Sequence, residues 1–454
     1  MTERLVVVGG DAGGMTAAAM ARRRRGPDEL EIVAFERTSH TSYSACGIPF
    51  LVGGVVDDPD VLVARSPEKH RELGLDVRTG HDVLAIDLDR SEVRVAAEGV
   101  ERREPFDKLL VATGAQPVRP ELAGIDARNV FGLQTLADGL EIRRVLLDER
   151  PAHAVIVGGG YIGLEMAEAF VQRGLEVAVV EAIDQPMATL DPDMAALVAD
   201  ALRGIGVDLH LGVPVEGFET TRDGAVAAVV AGDTTLPADL VVLGLGVRPA
   251  STLARDAGIT IGPSGGIAVD ARMRTSAPNV WAAGDCTEVR HRVSGRSMAI
   301  ALGTYANRQG RIAGITMTGG AAEFPGVLGT AVAKICAYEV ARTGLRESEA
   351  REAGFDPVSA TIESTTRASY FPGATRITVK AIADRRSGRM LGGQIFGREG
   401  AAKRIDVMAT AIWNEMTAED VAMVDLSYAP PFGPVWDPVA VAARKAADLV
   451  ERDS

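Results

Sequence analysis

The stretch Thr41-Ser42-Tyr43-Ser44-Ala45-Cys46-Gly47-Ile48-Pro49-Phe50 carries one of only three cysteines in a chain of 454 residues. A lone cysteine among small residues is either a small hydrophobe filling a gap or a thiolate kept for chemistry. Gly47 and Pro49 fit the first turn of a helix, where the helix dipole lowers a thiol pKa. The other two cysteines have blander settings: Cys286, in Ala-Gly-Asp-Cys-Thr-Glu, reads as packing, and Cys336, in an apolar run, as core. Three widely spaced cysteines make neither a disulfide framework nor a metal site, and they suit a reducing, cytoplasmic compartment.

Two Gly-rich turns give Cys46 a context. Leu5-Val6-Val7-Val8 runs into Gly9-Gly10-Asp11-Ala12-Gly13-Gly14, then an Ala-rich stretch ending in four arginines, then an apolar strand ending at Glu36. Strand, tight turn, helix and strand follow the order of a dinucleotide-binding βαβ unit. Gly9 makes the turn, Gly14 lets the helix close on the sheet, and the helix N-terminus, at Ala12, meets a pyrophosphate. Glu36 lies 22 residues beyond Gly14, placed to accept ribose hydroxyls, with Arg37 beside it. The middle glycine of GxGxxG is Asp11, so a plain α/β turn is the alternative for this copy taken alone. The second copy is complete: Gly158, Gly160 and Gly163, with Tyr161 and Ile162 between, and a strand ending at Glu181. A carboxylate there favours a free 2′-hydroxyl over a 2′-phosphate, hence NADH over NADPH.

Later segments separate the two sites. Val280 to Ala283 runs into Gly284-Asp285, an acid at a strand end suited to a ribityl hydroxyl of a flavin. A helix starting near Gly303 and Thr304 would aim N–H groups at the flavin's pyrimidine edge. Thr113-Gly114 and Gly246 break two apolar strands at Gly and then Pro, as crossings between domains do. The net charge of -14 argues against a nucleic-acid or membrane-surface partner. No apolar run reaches the roughly 18 residues of a membrane span.

From Leu5 to about Ala443 the chain resembles the two-dinucleotide flavoprotein disulfide reductases. The pattern Ser-aromatic-x-x-Cys-Gly-x-Pro is similar to that of their single-cysteine branch, which holds coenzyme A disulfide reductases, persulfide reductases, NADH oxidases and NADH peroxidases. The resemblance implies FAD in the first loop, NADH in the second, and Cys46 as the redox thiol beside the flavin. It implies that Tyr161 gates the nicotinamide and that Glu165 orients it, although solvation of a helix face is the alternative for Glu165. Oxidases and peroxidases of the branch place a histidine in the first glycine loop, where this chain has Ala12.

In coenzyme A disulfide reductases, tyrosines matching Tyr370 and Tyr428 come from the partner subunit and protonate the leaving thiolate; packing at a dimer interface is the alternative role. The resemblance places a bound thiol, coenzyme A among the candidates, along Met20, Arg23, Ser42, Tyr43 and Ala45. The favoured function is NADH-dependent reduction of coenzyme A disulfide or a related persulfide; Met20 and Ala45 depart from the polar residues of coenzyme A binders, so another small disulfide, a persulfide or a polysulfide stays open as substrate. The alternatives are an NADH oxidase working through a Cys46 sulfenate, an electron-transfer flavoprotein with a protein acceptor, and a redox-sensing dimer. The expected fold is α/β: two Rossmann-like dinucleotide-binding domains plus a C-terminal α+β dimerisation domain. The expected boundaries are 1–115 with 248–322 for FAD, 116–247 for NAD(P)H, and 323–454 for the domain that makes the homodimer, with active sites at its interface.

Overall fold

The computed structural model describes residues 2–451. The first glycine loop lies at one end of a five-stranded parallel sheet. Its strands run in the order Val280–Ala282, Lys108–Val111, Glu3–Val8, Leu30–Glu36, Asp76–Thr79. The strands are short and nearly all apolar because the sheet is covered on both faces; Val6, Val7, Leu109 and Leu110 are fully buried. The helices Ala12–Arg24 and Gly303–Met317 pack against each other on one side. An antiparallel meander of Asp82–Asp87, Glu92–Ala97 and Val100–Pro105 lies beyond.

A second parallel sheet repeats the plan in the order Asp208–Leu211, Glu176–Glu181, His153–Val157, Leu240–Leu243, Val130–Gly132. It follows and precedes two short strands, Ala115–Pro117 and Val247–Pro249, which pair antiparallel with each other. The chain thus enters and leaves this unit through one narrow ribbon.

The C-terminal region is an antiparallel sheet ordered Ala331–Ile335, Tyr338–Gly344, Met390–Gly397, Arg376–Asp384, Pro357–Thr365. Helices Ile405–Trp413, Ala418–Ala422 and Pro438–Glu451 complete its core. A charged cluster joins it to the second parallel unit. Lys380, 3% exposed, has its Nζ 3.3 Å from Asp191, 2.8 Å from Asp193 and 2.8 Å from Glu347. Gln394 fixes Asp191 further, accepting its N–H at 2.9 Å and donating to its carboxylate at 2.7 Å. Side-chain hydrogen bonds from Lys380 and Ser359 outweigh partial burial and hold Glu347 down at about 2. Among the described residues no helix is long and apolar enough to cross a membrane, and no group of His, Cys, Asp or Glu has the clustering of a metal site.

Candidate active site

Both glycine loops are built alike at their first, second and last positions. Gly9 and Gly158 have φ of 113° and 105°, a region closed to most side chains, and a Cβ on either would strike the carbonyl of Ala112 or Gly244. At Gly14 and Gly163 a Cβ would lie 2.0 and 2.1 Å from the carbonyls of Gly9 and Gly158, so only glycine lets each helix start this close to its strand. The acid closing each unit reaches back to its loop. Gly10 N–H donates to Glu36 at 2.8 Å, and Gly159 N–H donates to Glu181 at 2.7 Å. Each carboxylate is therefore fixed beside a pyrophosphate turn, where it can still accept from a ribose.

The loops differ at Asp11, which stands where the second has Gly160. The amides of Tyr43 and Ala12 lie against the Asp11 carboxyl, and its Oδ1 is buried with no partner in the protein. Burial and the Glu36 charge push it up to about 6. Asp11 thus links the strap that carries Cys46, through Tyr43, to the first amide of the helix Ala12–Arg24.

That strap, residues 41–47, is stitched to residues 62–65. Ser44 N–H donates to Leu62, Ala64 N–H donates to Ser42, and the Thr41 hydroxyl donates to Arg65. Cys46 lies in a single 3-10 turn, Ala45–Gly47, ahead of the short helix Ile48–Gly53. Ile48, Leu51 and Val52 from that helix are buried in one core with Ile142, Leu164 and Phe170 of the second dinucleotide unit. The cysteine is thereby seated where the two units meet. Its thiol has an exposed face, and in the protein alone its pKa is raised, by partial burial first and then by the carboxylates of Glu165 and Asp285. The dipole-lowered thiol expected from Gly47 and Pro49 is not what the chain provides. One 3-10 turn and six helical residues carry little dipole, and two acids face the sulfur.

Glu165 is held up at about 7 by burial and by Glu168. When a thiol titrates above that value Glu165 is already anionic, so removing its charge favours the thiolate. Glu165→Gln should move the alkylation midpoint of Cys46 to lower pH by up to about one unit. Iodoacetamide labelling rates of the reduced protein across pH, read by peptide mass, measure it. An unmoved midpoint would mean that Glu165 does not act on the sulfur.

Asp285, after the strand Val280–Ala282, is half-buried with a buried, unpartnered Oδ1, and burial pushes it up to about 6. Gly284 N–H donates to Gln309 at 2.7 Å, which ties this turn to the helix Gly303–Met317; Thr304 is exposed in its first turn. Thr113 donates to the Ala250 carbonyl at 2.6 Å, and Ala250 N–H donates to Gly114, joining the two crossings; Gly246 turns with φ 84°. Gly160 caps the helix Tyr161–Gln172, which opens with Tyr161 and Ile162; the Tyr161 hydroxyl lies 3.4 Å from that of Thr189. Arg37 and Ala45 are exposed.

Residues 3–310 match the pyridine nucleotide-disulphide oxidoreductase family, and residues 330–438 match its dimerisation domain. The chain belongs to this family. A "NAD(P)H coenzyme A polysulfide/persulfide reductase" of Pyrococcus horikoshii is 37% identical over 449 residues, 98% of each chain. An "NADH oxidase" of Methanocaldococcus jannaschii is 36% identical over 446 residues, again 98% of each chain. The solved structure of a NAD-dependent persulfide reductase from A. fulgidus superposes with a TM-score of 0.95 at 39% identity, covering 99% of this chain and 83% of that one. As a member of the family this oxidoreductase uses FAD and NAD(P)H. The first loop, Glu36, the unpartnered Asp285 oxygen and the Gly303 helix fit the FAD; the second loop and Glu181 fit the nicotinamide dinucleotide.

The oxidoreductase treats the four arginines after Ala21 unequally. Arg22 donates to the Gly74 carbonyl, Arg24 to Thr318, and Arg25 pairs with Glu3, whereas Arg23 reaches only the Ala19 carbonyl of its own helix. Arg23 is the exposed one whose charge is not taken up by a partner on another element. Met20 packs across the helix pair, so close that a Cβ on Gly314 would lie 2.7 Å from it. Tyr370 and Tyr428, 58 residues apart in sequence, meet: their side chains are hydrogen-bonded, and both are exposed. Met423, Phe432, Val435 and Trp436 are exposed on the same stretch. The sequence reading took Asp11 only as a departure from the glycine motif, and it missed His70. Asp11 shows itself only through its contact with Tyr43, and His70 is buried against Ser42.

Proposed function

We propose that the protein is an FAD-dependent reductase that uses NADH in preference to NADPH to reduce coenzyme A disulfide or a related low-molecular-weight disulfide or persulfide. It works in the cytoplasm as a homodimer. The observation that carries this reading is Cys46: an accessible free thiol between the two dinucleotide loops, with Cys286 fully buried and hydrogen-bonded to Val111 and Ala283. With no second cysteine in its strap and Cys336 only partly exposed elsewhere, Cys46 cannot close a local disulfide, so it must exchange with one supplied from outside.

The cofactor residues are those of the two loops: Gly9, Asp11, Ala12, Gly14, Glu36, Arg37, Thr113, Gly114, Gly284, Asp285, Gly303 and Thr304 for FAD; Gly158, Gly160, Tyr161, Ile162, Gly163, Glu165, Glu181 and Gly246 for NADH. FAD, when bound, supplies the two-electron exchange between nicotinamide and sulfur. The chain's own residues do the rest. The Cys46 thiolate attacks the substrate disulfide, forming a mixed disulfide and releasing one thiolate, which takes a proton from Tyr428 of the partner subunit, with Tyr370 of the partner subunit beside it. Two electrons and a proton then break the mixed disulfide, freeing the second thiol and restoring the Cys46 thiolate. Ser42 and Tyr43 line the arm of the bound thiol, and Arg23 takes its phosphates when it is coenzyme A.

The names of the relatives support the disulfide and persulfide class. An oxygen-reducing reading needs a polar group at the sulfur from the first glycine loop. Ala12 offers none there, while the rings of His40 and His70 engage Ser39 and Ser42. Intact mass of the oxidised protein under denaturing, non-reducing conditions tests the reading. A dithiothreitol-sensitive increment on Cys46 is expected, and its size names the thiol; an increment of oxygen atoms would replace this function with the oxidase.

The dimeric site has its own test. Tyr428→Phe should lose about a hundredfold in turnover, the scale of a lost general acid. Mixing that variant with Cys46→Ser under conditions that exchange subunits should regain activity, because half the sites in a mixed dimer then hold both groups. No regain would place the two residues in one subunit's site.

A further inference from the structure

His70 lies in the short helix Pro67–Glu72 and is 1% exposed. Its Nε2 is 3.0 Å from the Ser42 Oγ, and its Nδ1 has no hydrogen-bond partner. Ser42 is held with φ 48°, a left-handed conformation that serine seldom adopts. Two backbone bonds keep it there: Ser42 N–H donates to the Gly10 carbonyl at 3.2 Å, and its own carbonyl accepts from Ala64 at 2.9 Å. The strap therefore fixes where the Ser42 hydroxyl stands, and one imidazole nitrogen decides where its proton points.

Two tautomers compete. With the proton on Nδ1, a buried N–H is left without an acceptor, and the Ser42 proton is used up on Nε2. With the proton on Nε2, only a ring lone pair goes unmatched, which costs less than an orphaned N–H. Ser42 then accepts from the ring, and its own proton is directed away from His70. Burial, with Arg65 nearby, holds the ring down at about 4, so it is neutral in either case.

We propose that His70 is a positioning residue whose Nε2–H donates to Ser42 and turns the Ser42 hydroxyl proton toward a carbonyl or hydroxyl acceptor on the arm of the thiol held at Cys46. The inference rests on the mixed-disulfide reading above, and it adds a specificity element: thiols with a polar arm are gripped here.

Two measurements test it. Nitrogen-15 NMR of histidine-labelled holoenzyme, with His70 assigned by its loss in His70→Gln, should show the Nε2–H tautomer; an Nδ1–H ring would overturn the proposal. This reads the ring itself and holds whatever Cys46 carries. In kinetics with coenzyme A disulfide, His70→Phe should raise KM by up to about tenfold with kcat changed by less than about twofold. His70→Gln, whose amide N–H can take the place of Nε2, should recover most of that loss. The double variant His70→Phe with Ser42→Ala should be no worse than Ser42→Ala alone, since both remove one directed bond. Additive losses, or a loss mainly in kcat, would reduce His70 to packing. A wild-type enzyme inactive on coenzyme A disulfide would instead sink the substrate assignment, and the tautomer would still decide whether the ring directs Ser42.

Discussion

Serine in place of Cys46 is expected to end disulfide turnover, by at least about a thousandfold, because a serine hydroxyl neither ionises near neutrality nor exchanges with disulfides. The same variant should still take electrons from NADH: the second glycine loop, Glu181 and the Gly303 helix are untouched, so the bound FAD should bleach in stopped-flow absorbance at a near-normal rate. The pair of results matters more than either alone. Loss of both would mean that the substitution disturbed the strap, whose backbone bonds to Gly10 and residues 62–65 shape the first loop's surroundings. Retention of full turnover on any acceptor would leave Cys46 without a role, and the protein would be a simple electron-transfer flavoprotein. The raised thiol pKa sharpens the expectation. With burial, Glu165 and Asp285 all opposing the thiolate in the chain alone, the anion needs the electron-poor flavin beside it. Cys46 of flavin-free protein should therefore alkylate more slowly at pH 7 than Cys46 of holoenzyme in which the thiol is free and the FAD oxidised.

The second large effect is expected at Glu181. Its carboxylate accepts from Gly159 at 2.7 Å and from Ile183 at 3.1 Å, so it cannot swing away from a bulkier ligand. A 2′-phosphate would bring about two negative charges against it; a ribose hydroxyl instead gains a charge-assisted hydrogen bond of about 1.5–3 kcal/mol. Glu181→Ala combined with Ala182→Arg should therefore shift the NADPH-over-NADH ratio of kcat/KM by roughly a hundredfold or more. Steady-state kinetics with both nucleotides measure it. An unchanged ratio would show that Glu181 only braces its loop, a role that the Gly159 and Ile183 bonds allow.

The dinucleotide loops were legible in the sequence because their constraint is local. A turn at φ near 110° and a helix packed so close to the loop that a Cβ would lie about 2 Å from a loop carbonyl each demand glycine at a fixed offset, and the acids close the same short βαβ unit. Cys46 was legible as a residue, and its electrostatics were not. The acids that raise its pKa, Glu165 and Asp285, come from segments more than 100 residues away. Asp11 looked like a blemish in the motif because its partner, the Tyr43 amide, is on another element. The run of arginines looked uniform, yet folding assigns Arg22, Arg24 and Arg25 to three different neighbours and leaves Arg23 over. His70 gave no signal, since helical position alone does not say that a ring nitrogen will meet a serine from a strap 28 residues earlier.

Lys380 bears on how the molecule comes apart. Its ammonium neutralises acids from two regions at once: Asp191 and Asp193 from the second dinucleotide unit, and Glu347 from the C-terminal region. Separating those regions would part Lys380 from Asp191 and Asp193 and leave Glu347 as its one carboxylate, so the ion pairs between the regions oppose separation. The narrow two-strand ribbon would otherwise let the inserted unit melt by itself. The cluster joins the fate of that unit to the dimer-forming sheet, so heat sees one cooperative body where the topology suggests a detachable one.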